Sequence, residues 1–282
     1  MLHVLTVHFE SDVWIEPQLR YLQRFAPPDT RIWASLNGID RALWSRFHFA
    51  DELPGTHPQK LNLLAQKVIE VADPGDHLLF LDGDAFPVAN LEPLLADALP
   101  LIAVRRRENF GDPQPHPCFA ITTAAFWKAI DGDWRAGYKW TNSLGVQVTD
   151  PGANLYRRLL DDGIEWRPLD RLNTVNPHPL WFAVYGDERS GPVVYHHGAG
   201  FRDPVGRTDT MKAGFAFEMS RARTPERFRV VHRLERHLRG RLAARRRARW
   251  VRDELPRQRA LADEVFSAIV AGDDVVTRFV PH

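Results

Sequence analysis

Two carboxylates separated by one glycine follow a short apolar run in this 282-residue chain. Asp82 and Asp84 come directly after Leu78 to Leu81, and Gly83 stands between them. Carboxylates this close repel each other unless they share a cation or take up a proton. Oxygen ligands of this kind suit Mg²⁺ or Mn²⁺, above all where the metal also holds phosphates. The segment therefore predicts a metal and phosphate site; the alternative is a solvated turn whose acids cap the next segment.

A second group of chemically useful residues lies more than a hundred residues later. An apolar run that begins at Pro192 ends in His196 and His197, and a glycine-rich loop with Gly198 and then Arg202 follows it. A neutral imidazole completes a carboxylate metal site, whereas backbone amides and an arginine hold phosphate oxygens. Adjacent residues on a strand point to opposite faces, so one of the two histidines is predicted as a ligand and the sequence leaves open which.

Strand-like and helix-like patterns alternate in front of and around these groups. The predicted strands are Leu2–Val7, Arg31–Leu36, His77–Leu81, Leu101–Val104 and Pro192–His197. The predicted helices are Val13–Phe25, Lys60–Ala72, Leu91–Leu99 and Ala153–Leu160. This alternation predicts an α/β fold with a mostly parallel (mixed) central sheet and helices on both faces. Ligands bind such sheets beyond the carboxyl ends of the strands, which is where the acids lie.

The order of these motifs resembles that of the GT-A type nucleotide-sugar glycosyltransferases. In that superfamily the Asp-x-Asp pair, here Asp82 and Asp84, binds a divalent ion and the donor's diphosphate and ribose. His197 to Gly200 matches the His-x-x-G spacing of the glycogenin-like branch, but the longer form of that motif is absent. The resemblance covers residues 1–210 and implies a GT-A-like fold, a nucleotide diphosphate sugar as donor, and Mn²⁺ or Mg²⁺ as cofactor.

The resemblance also implies roles for residues near the other strand ends. The candidates for contact with the nucleotide or its phosphates are His8, Phe9, Glu10, Asn37, Lys60, Asn62 and Arg105. Each has an ordinary structural alternative, such as a solvated lysine or an acid at a helix N-terminus. Asp150 precedes a predicted helix and is the candidate base that deprotonates an acceptor hydroxyl, or a sugar ligand; the alternative is a helix N-cap.

Composition excludes several classes of protein. The chain is 44% hydrophobic with a formal net charge of +1, which excludes disorder, and its one cysteine excludes an intramolecular disulfide. No apolar run approaches the roughly 20 residues of a membrane span, and the N-terminus lacks the basic start of a signal peptide. We therefore expect a cytoplasmic enzyme.

The balanced net charge conceals a basic segment near the C-terminus. Residues 221–259 hold 15 arginines and four acids, a net +11 that leaves −10 for the rest of the chain. We expect a GT-A-like domain over residues 1–215 and an Arg-rich helical extension over 216–282. The extension is interpreted first as a solvated amphipathic helix, second as a peripheral contact with anionic membrane, and only distantly as a nucleic-acid surface.

Three rival interpretations remain at this stage. A haloacid-dehalogenase-like phosphohydrolase also carries Asp-x-Asp after an apolar strand, but its motif lies on the first strand, and Ala85-Phe86-Pro87 departs from its continuation. A nucleotidyltransferase would more often carry a glycine-rich basic loop after the first strand, where His8 to Asp12 stand instead. A non-catalytic nucleotide-sugar-binding protein would bind the same ligand without turnover.

Overall fold

The computed structural model describes residues 1–109, 111–142, 145–172, 182–198 and 240–273. The strands are β1 (Leu2–Phe9), β2 (Arg31–Asn37), β3 (Phe49–Asp51), β4 (His77–Asp82), β5 (Ala85–Pro87), β6 (Leu101–Val104), β7 (His116–Thr123), β8 (Trp140–Thr141), β9 (Gln147–Val148), β10 (Arg167–Arg171), β11 (Ala183–Asp187) and β12 (Gly191–His196). The helices are α1 (Ile15–Phe25), α2 (His57–Ile69), α3 (Glu92–Leu95), α4 (Ala124–Ala129), α5 (Ala153–Asp161) and α6 (Gly240–Ala271), with a 3-10 helix at Arg41–Arg46.

Ten of the described strands form one mixed sheet, in the order β3-β2-β1-β4-β7-β6-β10-β11-β12-β5. The strands β3, β2, β1 and β4 are parallel to one another, and β6 is parallel to β10. The remaining pairs are antiparallel, including both partners of β7. The predicted class, an α/β fold with a mixed central sheet, is confirmed.

The continuous apolar strands are covered on both faces, as their sequences predict. In β4, Leu78 and Phe80 pack in one core cluster, which includes the buried face of α2. Leu79 and Leu81 alternate with them and belong to a second cluster, which includes Leu22 of α1. Because β4 is enclosed in this way, the chain meets polar surroundings where the strand ends.

The apolar stretch 118–130, to which the sequence assigned no single element, divides between β7 and α4. The side chain of Thr123 accepts a hydrogen bond from the backbone N–H of Phe126 (3.1 Å) and so caps the helix. Capping by threonine ends the strand and starts the helix within one residue. The strand β7 runs antiparallel to both of its neighbours, β4 and β6.

The C-terminal helix packs on the body of the protein through its last turns. Val265 and Ile269 are buried in a cluster with Trp14, Phe86 and Tyr195. Residues 199–239, which include the predicted boundary at residue 216 and the first part of the Arg-rich segment, lie outside the described residues, so that boundary stays a prediction. No described helix combines the length and the apolar content that crossing a bilayer requires.

Candidate functional site

The two acids lie on a tight loop at the carboxyl end of β4. A Cβ atom at Gly83 would lie 2.6 Å from the carbonyl oxygen of Val7 and 2.9 Å from Nδ1 of His8. Real Cβ atoms do not approach this closely, so only glycine lets the loop rest on β1. The sequence therefore fixes where the carboxylates of Asp82 and Asp84 emerge.

A buried glutamine on α1 holds the same loop. Nε2 of Gln18 donates hydrogen bonds to the carbonyl oxygens of Asp82 (2.9 Å) and Ala85 (2.8 Å). Its Oε1 lies 3.1 Å from Nε2 of His8, whose pKa burial lowers to about 4. The imidazole is therefore neutral near pH 7 and donates to Gln18. Sequence reasoning missed Gln18, although a polar residue on the apolar face of an amphipathic helix was an available signal.

His196 lies between the two carboxylates. Its Nε2 is 3.4 Å from Oδ2 of Asp82 and 3.3 Å from Oδ1 of Asp84. The register places it opposite Ala85, the residue that follows the acids, because β12 pairs with β5. The pairing of β12 with β5 thus brings the imidazole of His196 to the loop that holds Asp82 and Asp84.

The charges at this point stabilise one another. Burial alone would raise the pKa of Asp82, but the proximity of His57 and His196 outweighs burial and holds that pKa well below its ordinary value. The pKa of Asp84 is lowered in the same way, because His196 outweighs the effect of burial. Burial lowers the pKa of His196, yet Asp84 and the other neighbours raise it well above the usual value. The imidazolium thus occupies the position between two carboxylates where a cation would lie.

His197 faces away from the acids. Its Nδ1 lies 2.7 Å from the hydroxyl of Tyr195, and its ring centre is 4.6 Å from that of Trp14. Burial lowers its pKa to about 4. Of the two histidines that the sequence left open, His196 is therefore the one whose ring contacts the carboxylates. His197 supports the loop from behind, through its backbone N–H, which donates to the carbonyl oxygen of Asp84 (3.0 Å).

Further donor atoms surround Asp82. Nε2 of His57, the first residue of α2, is 3.1 Å from Oδ1 of Asp82. Ligand atoms of Asp82, Cys118 and His196 all lie within 4.8 Å of one another. A buried carboxylate beside imidazole nitrogens and a thiol fits a divalent cation. Neither His57 nor Cys118 had a local signal in the sequence.

A second polar group lies at the ends of β1 and β2. Nζ of Lys60 donates a 2.6 Å hydrogen bond to Oδ1 of Asn37 and lies 5.2 Å from the centre of the Phe9 ring. Burial lowers the pKa of Lys60, whose residue is only 5% exposed. Glu10 adopts a positive φ of 55° and donates its backbone N–H to the carbonyl of Asn37 (2.9 Å). The structure therefore brings together four of the residues predicted to hold a nucleotide, and one of them, Phe9, presents an exposed aromatic ring.

Asp150 lies in a third charged group, built around Arg106. Nη2 of Arg106 is 3.0 Å from Oδ2 of Asp150 and 3.9 Å from Oδ2 of Asp112. Burial raises the pKa of Asp112 to about 6 in spite of the guanidinium. His116 connects this group to the acids, since its ring centre is 6.5 Å from that of His196. The arginine that pairs with Asp150 is thus Arg106, whereas the sequence analysis named its neighbour Arg105.

Some predicted residues have other partners. Arg105 forms a two-point hydrogen bond with Asp170 (2.9 and 2.7 Å). Asn62 donates to Asp133 (2.7 Å) and accepts from the backbone of Trp134 (3.0 Å), because it lies on a different face of α2 from Lys60. Gly198 follows His197 with a positive φ of 70°, and Arg202 lies outside the described residues.

Comparisons with known proteins give only distant structural likenesses. The chain matches no protein-family profile and no curated protein. Residues 1–349 of TarS from S. aureus, in complex with UDP-GlcNAc, are 15% identical over 48% of this chain and 48% of that chain, with a TM-score of 0.35. The glycosyltransferase GlyE of Streptococcus pneumoniae TIGR4 is 17% identical over 46% of this chain and 36% of its own, with a TM-score of 0.35.

The galactosyltransferase LgtC, in complex with donor and acceptor sugar analogs, is 14% identical over 80% of this chain and 99% of its own, with a TM-score of 0.38. The aligned parts span less than half the length of the TarS and GlyE chains. Likenesses at these values assign no activity, so the function proposed below rests on the side chains at the strand ends.

Replacing Gly83 by alanine will displace the acid loop, because the added Cβ meets the backbone of β1. We expect a loss of stability of about 1–3 kcal/mol, as for other overpacked positions, and at least a tenfold weaker affinity for Mn²⁺. Urea unfolding and metal titration of the same preparation measure the two effects.

Gly75→Ala is the matched control for that substitution, since a Cβ at Gly75 meets nothing within 4 Å. It should retain wild-type stability and metal affinity. Wild-type behaviour of Gly83→Ala itself would show that the loop is not held against β1.

The neutral state of His8 makes stability depend on pH. Above about pH 6.5 the imidazole is neutral in both the folded and the unfolded chain; between about 6.5 and 4 only the unfolded chain binds the proton. Stability therefore falls as the pH falls through this window, and His8→Asn should make the decline shallower by up to about 1.4 kcal/mol per pH unit. Urea unfolding at several pH values measures the slope.

Gly75→Ala, which removes no ionisable group, provides a control and should keep the wild-type slope. An unchanged slope in His8→Asn would contradict a buried neutral imidazole at this position.

Proposed function

We propose that this protein is a metal-dependent glycosyltransferase that moves a sugar from a nucleotide diphosphate sugar to an acceptor. The observation that carries the proposal is the arrangement of Asp82, Asp84 and His196 at the carboxyl ends of the strands, beside the polar group at Asn37 and Lys60. A diphosphate needs a cation, and a base and ribose need polar and aromatic contacts. Both requirements are met along the same edge of the sheet.

The nucleotide would lie at the ends of β1 and β2. Phe9 is 44% exposed and offers an aromatic face to a base, while Asn37 and Lys60 supply an amide and an ammonium group for polar contacts. The absence of a side chain at Gly83 lets a phosphate approach the acid loop. The backbone amide of Gly198 and the guanidinium of Arg202 would hold phosphate oxygens.

Asp82, Asp84 and His196 would hold Mn²⁺ or Mg²⁺. A cation bound there acts as a Lewis acid that stabilises the negative charge developing on the leaving diphosphate. The protein's own part is to hold two carboxylates and one imidazole in place before the cation binds. Gln18, His8 and Gly83 do this through neutral contacts that do not compete for the cation.

Asp150 is the proposed general base. The acceptor hydroxyl would give its proton to this carboxylate while its oxygen bonds to the anomeric carbon and the anomeric bond to the diphosphate breaks. Arg106 orients the carboxylate by a 3.0 Å ion pair. Direct attack of this kind inverts the configuration at the anomeric carbon.

A thermal-shift screen of nucleoside diphosphates and nucleotide sugars, with and without Mn²⁺, tests the donor. We expect one base to stabilise the protein only when the metal is present, by about 2.7 kcal/mol at a hundred times Kd. Asp82→Asn should abolish the metal-dependent shift. Asp162→Asn, at an exposed carboxylate on the C-terminal end of α5, is the control and should keep it.

The same screen separates the rival interpretations. Stabilisation by phosphate esters without any nucleotide preference would favour a phosphohydrolase. No shift with any nucleotide, in protein shown to be folded, would overturn the proposal.

Asp150→Asn tests the chemical step. Donor binding in the thermal-shift assay should stay at the wild-type level, while release of nucleoside diphosphate from the donor falls by about 10²–10⁴-fold, the contribution of a general base. Asp162→Asn again serves as the control. Wild-type turnover in Asp150→Asn would remove this residue from the mechanism.

A further inference from the structure

Cys118 lies across from Asp82 in the central sheet. The strands β4 and β7 pair antiparallel up to Leu81 opposite Phe119, and Asp82 and Cys118 are the next residues along the two strands. The sheet register thus brings a thiol to the acid loop.

The start of β7 is also irregular on its other side. The pairing of β6 with β7 shifts between Ala103 and Val104, which leaves Val104 opposite His116. Irregularities of this kind change the direction of side chains and are common beside functional sites. The backbone N–H of Cys118 donates to Nδ1 of His116 (3.1 Å), which fixes the local conformation.

The thiol has the neighbours of a metal ligand. One oxygen of Asp82, Sγ of Cys118 and one nitrogen of His196 are mutually within 4.8 Å. Nε2 of His57 also lies 3.1 Å from Oδ1 of Asp82, so two imidazoles and a thiol surround this carboxylate. The group offers oxygen, nitrogen and sulfur donors at one point, as a metal site does.

We propose that the sulfur of Cys118 is a ligand of the cation that Asp82 and His196 hold, which gives the site a mixed oxygen, nitrogen and sulfur donor set. On binding, the thiol proton passes to solvent and a sulfur lone pair binds the cation. The inference rests on the proposed function only in that both require a cation at Asp82.

This donor set changes which cation the site prefers. Thiolates bind softer divalent ions such as Zn²⁺ and Co²⁺ better than Mg²⁺, which prefers oxygen ligands. We expect the wild-type protein to bind Co²⁺ or Zn²⁺ at least tenfold more tightly than Mg²⁺. Cys118→Ser should reduce this preference, because the hydroxyl is a hard and weak ligand.

Cobalt spectroscopy of the metal-stripped full chain tests the proposal directly. Cys118 is the only cysteine, so a sulfur-to-cobalt charge-transfer band in the near ultraviolet reports on this residue alone. We expect the band to grow with added Co²⁺ and saturate at one equivalent. It should be absent in Cys118→Ser and in Cys118→Ala, and retained in the surface control Asp162→Asn.

Equilibrium dialysis of Co²⁺ and Mn²⁺ on the same samples distinguishes a failure of the role proposed for Cys118 from a failure of the proposed function. Cobalt that binds in an Asp82-dependent manner without the band would overturn the role of Cys118 and leave the proposed metal-dependent function intact. No Asp82-dependent binding of any of these cations would overturn both. If the Cys118 variants fail to fold, the presence or absence of the band in the wild-type protein still decides the question.

Discussion

The structure depends on one constraint: Asp82 and Asp84, with only Gly83 between them, place two carboxylates at a largely buried position. In surroundings of low dielectric, like charges this close cost several kcal/mol unless a positive group lies between them. Here that group is the imidazole of His196, about 3.3 Å from each acid. The pairing of β12 with β5 meets this requirement, because it places His196 opposite Ala85, the residue that follows the acids. A site formed by residues 82, 84 and 196 thus depends on a long-range contact of the sheet.

The groups that hold the backbone of the acid loop are neutral, and this matters for the chemistry of the acids. Gln18 binds backbone carbonyls of the loop rather than its carboxylates, and His8 beneath it has a pKa of about 4, so it adds no charge. A charged support in the same place would neutralise the acids and compete with a cation. Gly83 contributes only by the side chain that it lacks. Gln18, His8 and Gly83 therefore fix the position of the loop, whereas Asp82 and Asp84 supply its charge.

Much of the fold was predictable because local patterns determine it. Apolar runs and helical spacing predicted β1, β2, β4, α1 and α2, but not the short strands β3 and β5, and α3 is shorter than predicted. The acids stood out because they end a continuous apolar strand. His196 rather than His197 faces the acids because of the way in which β12 pairs with β5. No local sequence pattern predicts that pairing. Cys118 reaches the site through the pairing of two strands, whereas Asn62 leaves it because it lies on another face of its helix from Lys60. Contacts set by register and helix rotation appear only once the chain is assembled.

The balance of charge among Asp82, Asp84, Asp150 and their partners gives an independent reason to expect a cation. Asp82, Asp84 and Asp150 contribute three negative charges, and His196 and Arg106 contribute two positive charges. Asp112, whose pKa is about 6, adds a further negative charge near pH 7. A diphosphate brings at least two more negative charges into this surface. His196 and Arg106 are already paired with acids. A divalent cation that enters with the diphosphate would offset the repulsion between the phosphate charge and the acids, which are themselves the ligands that attract a metal.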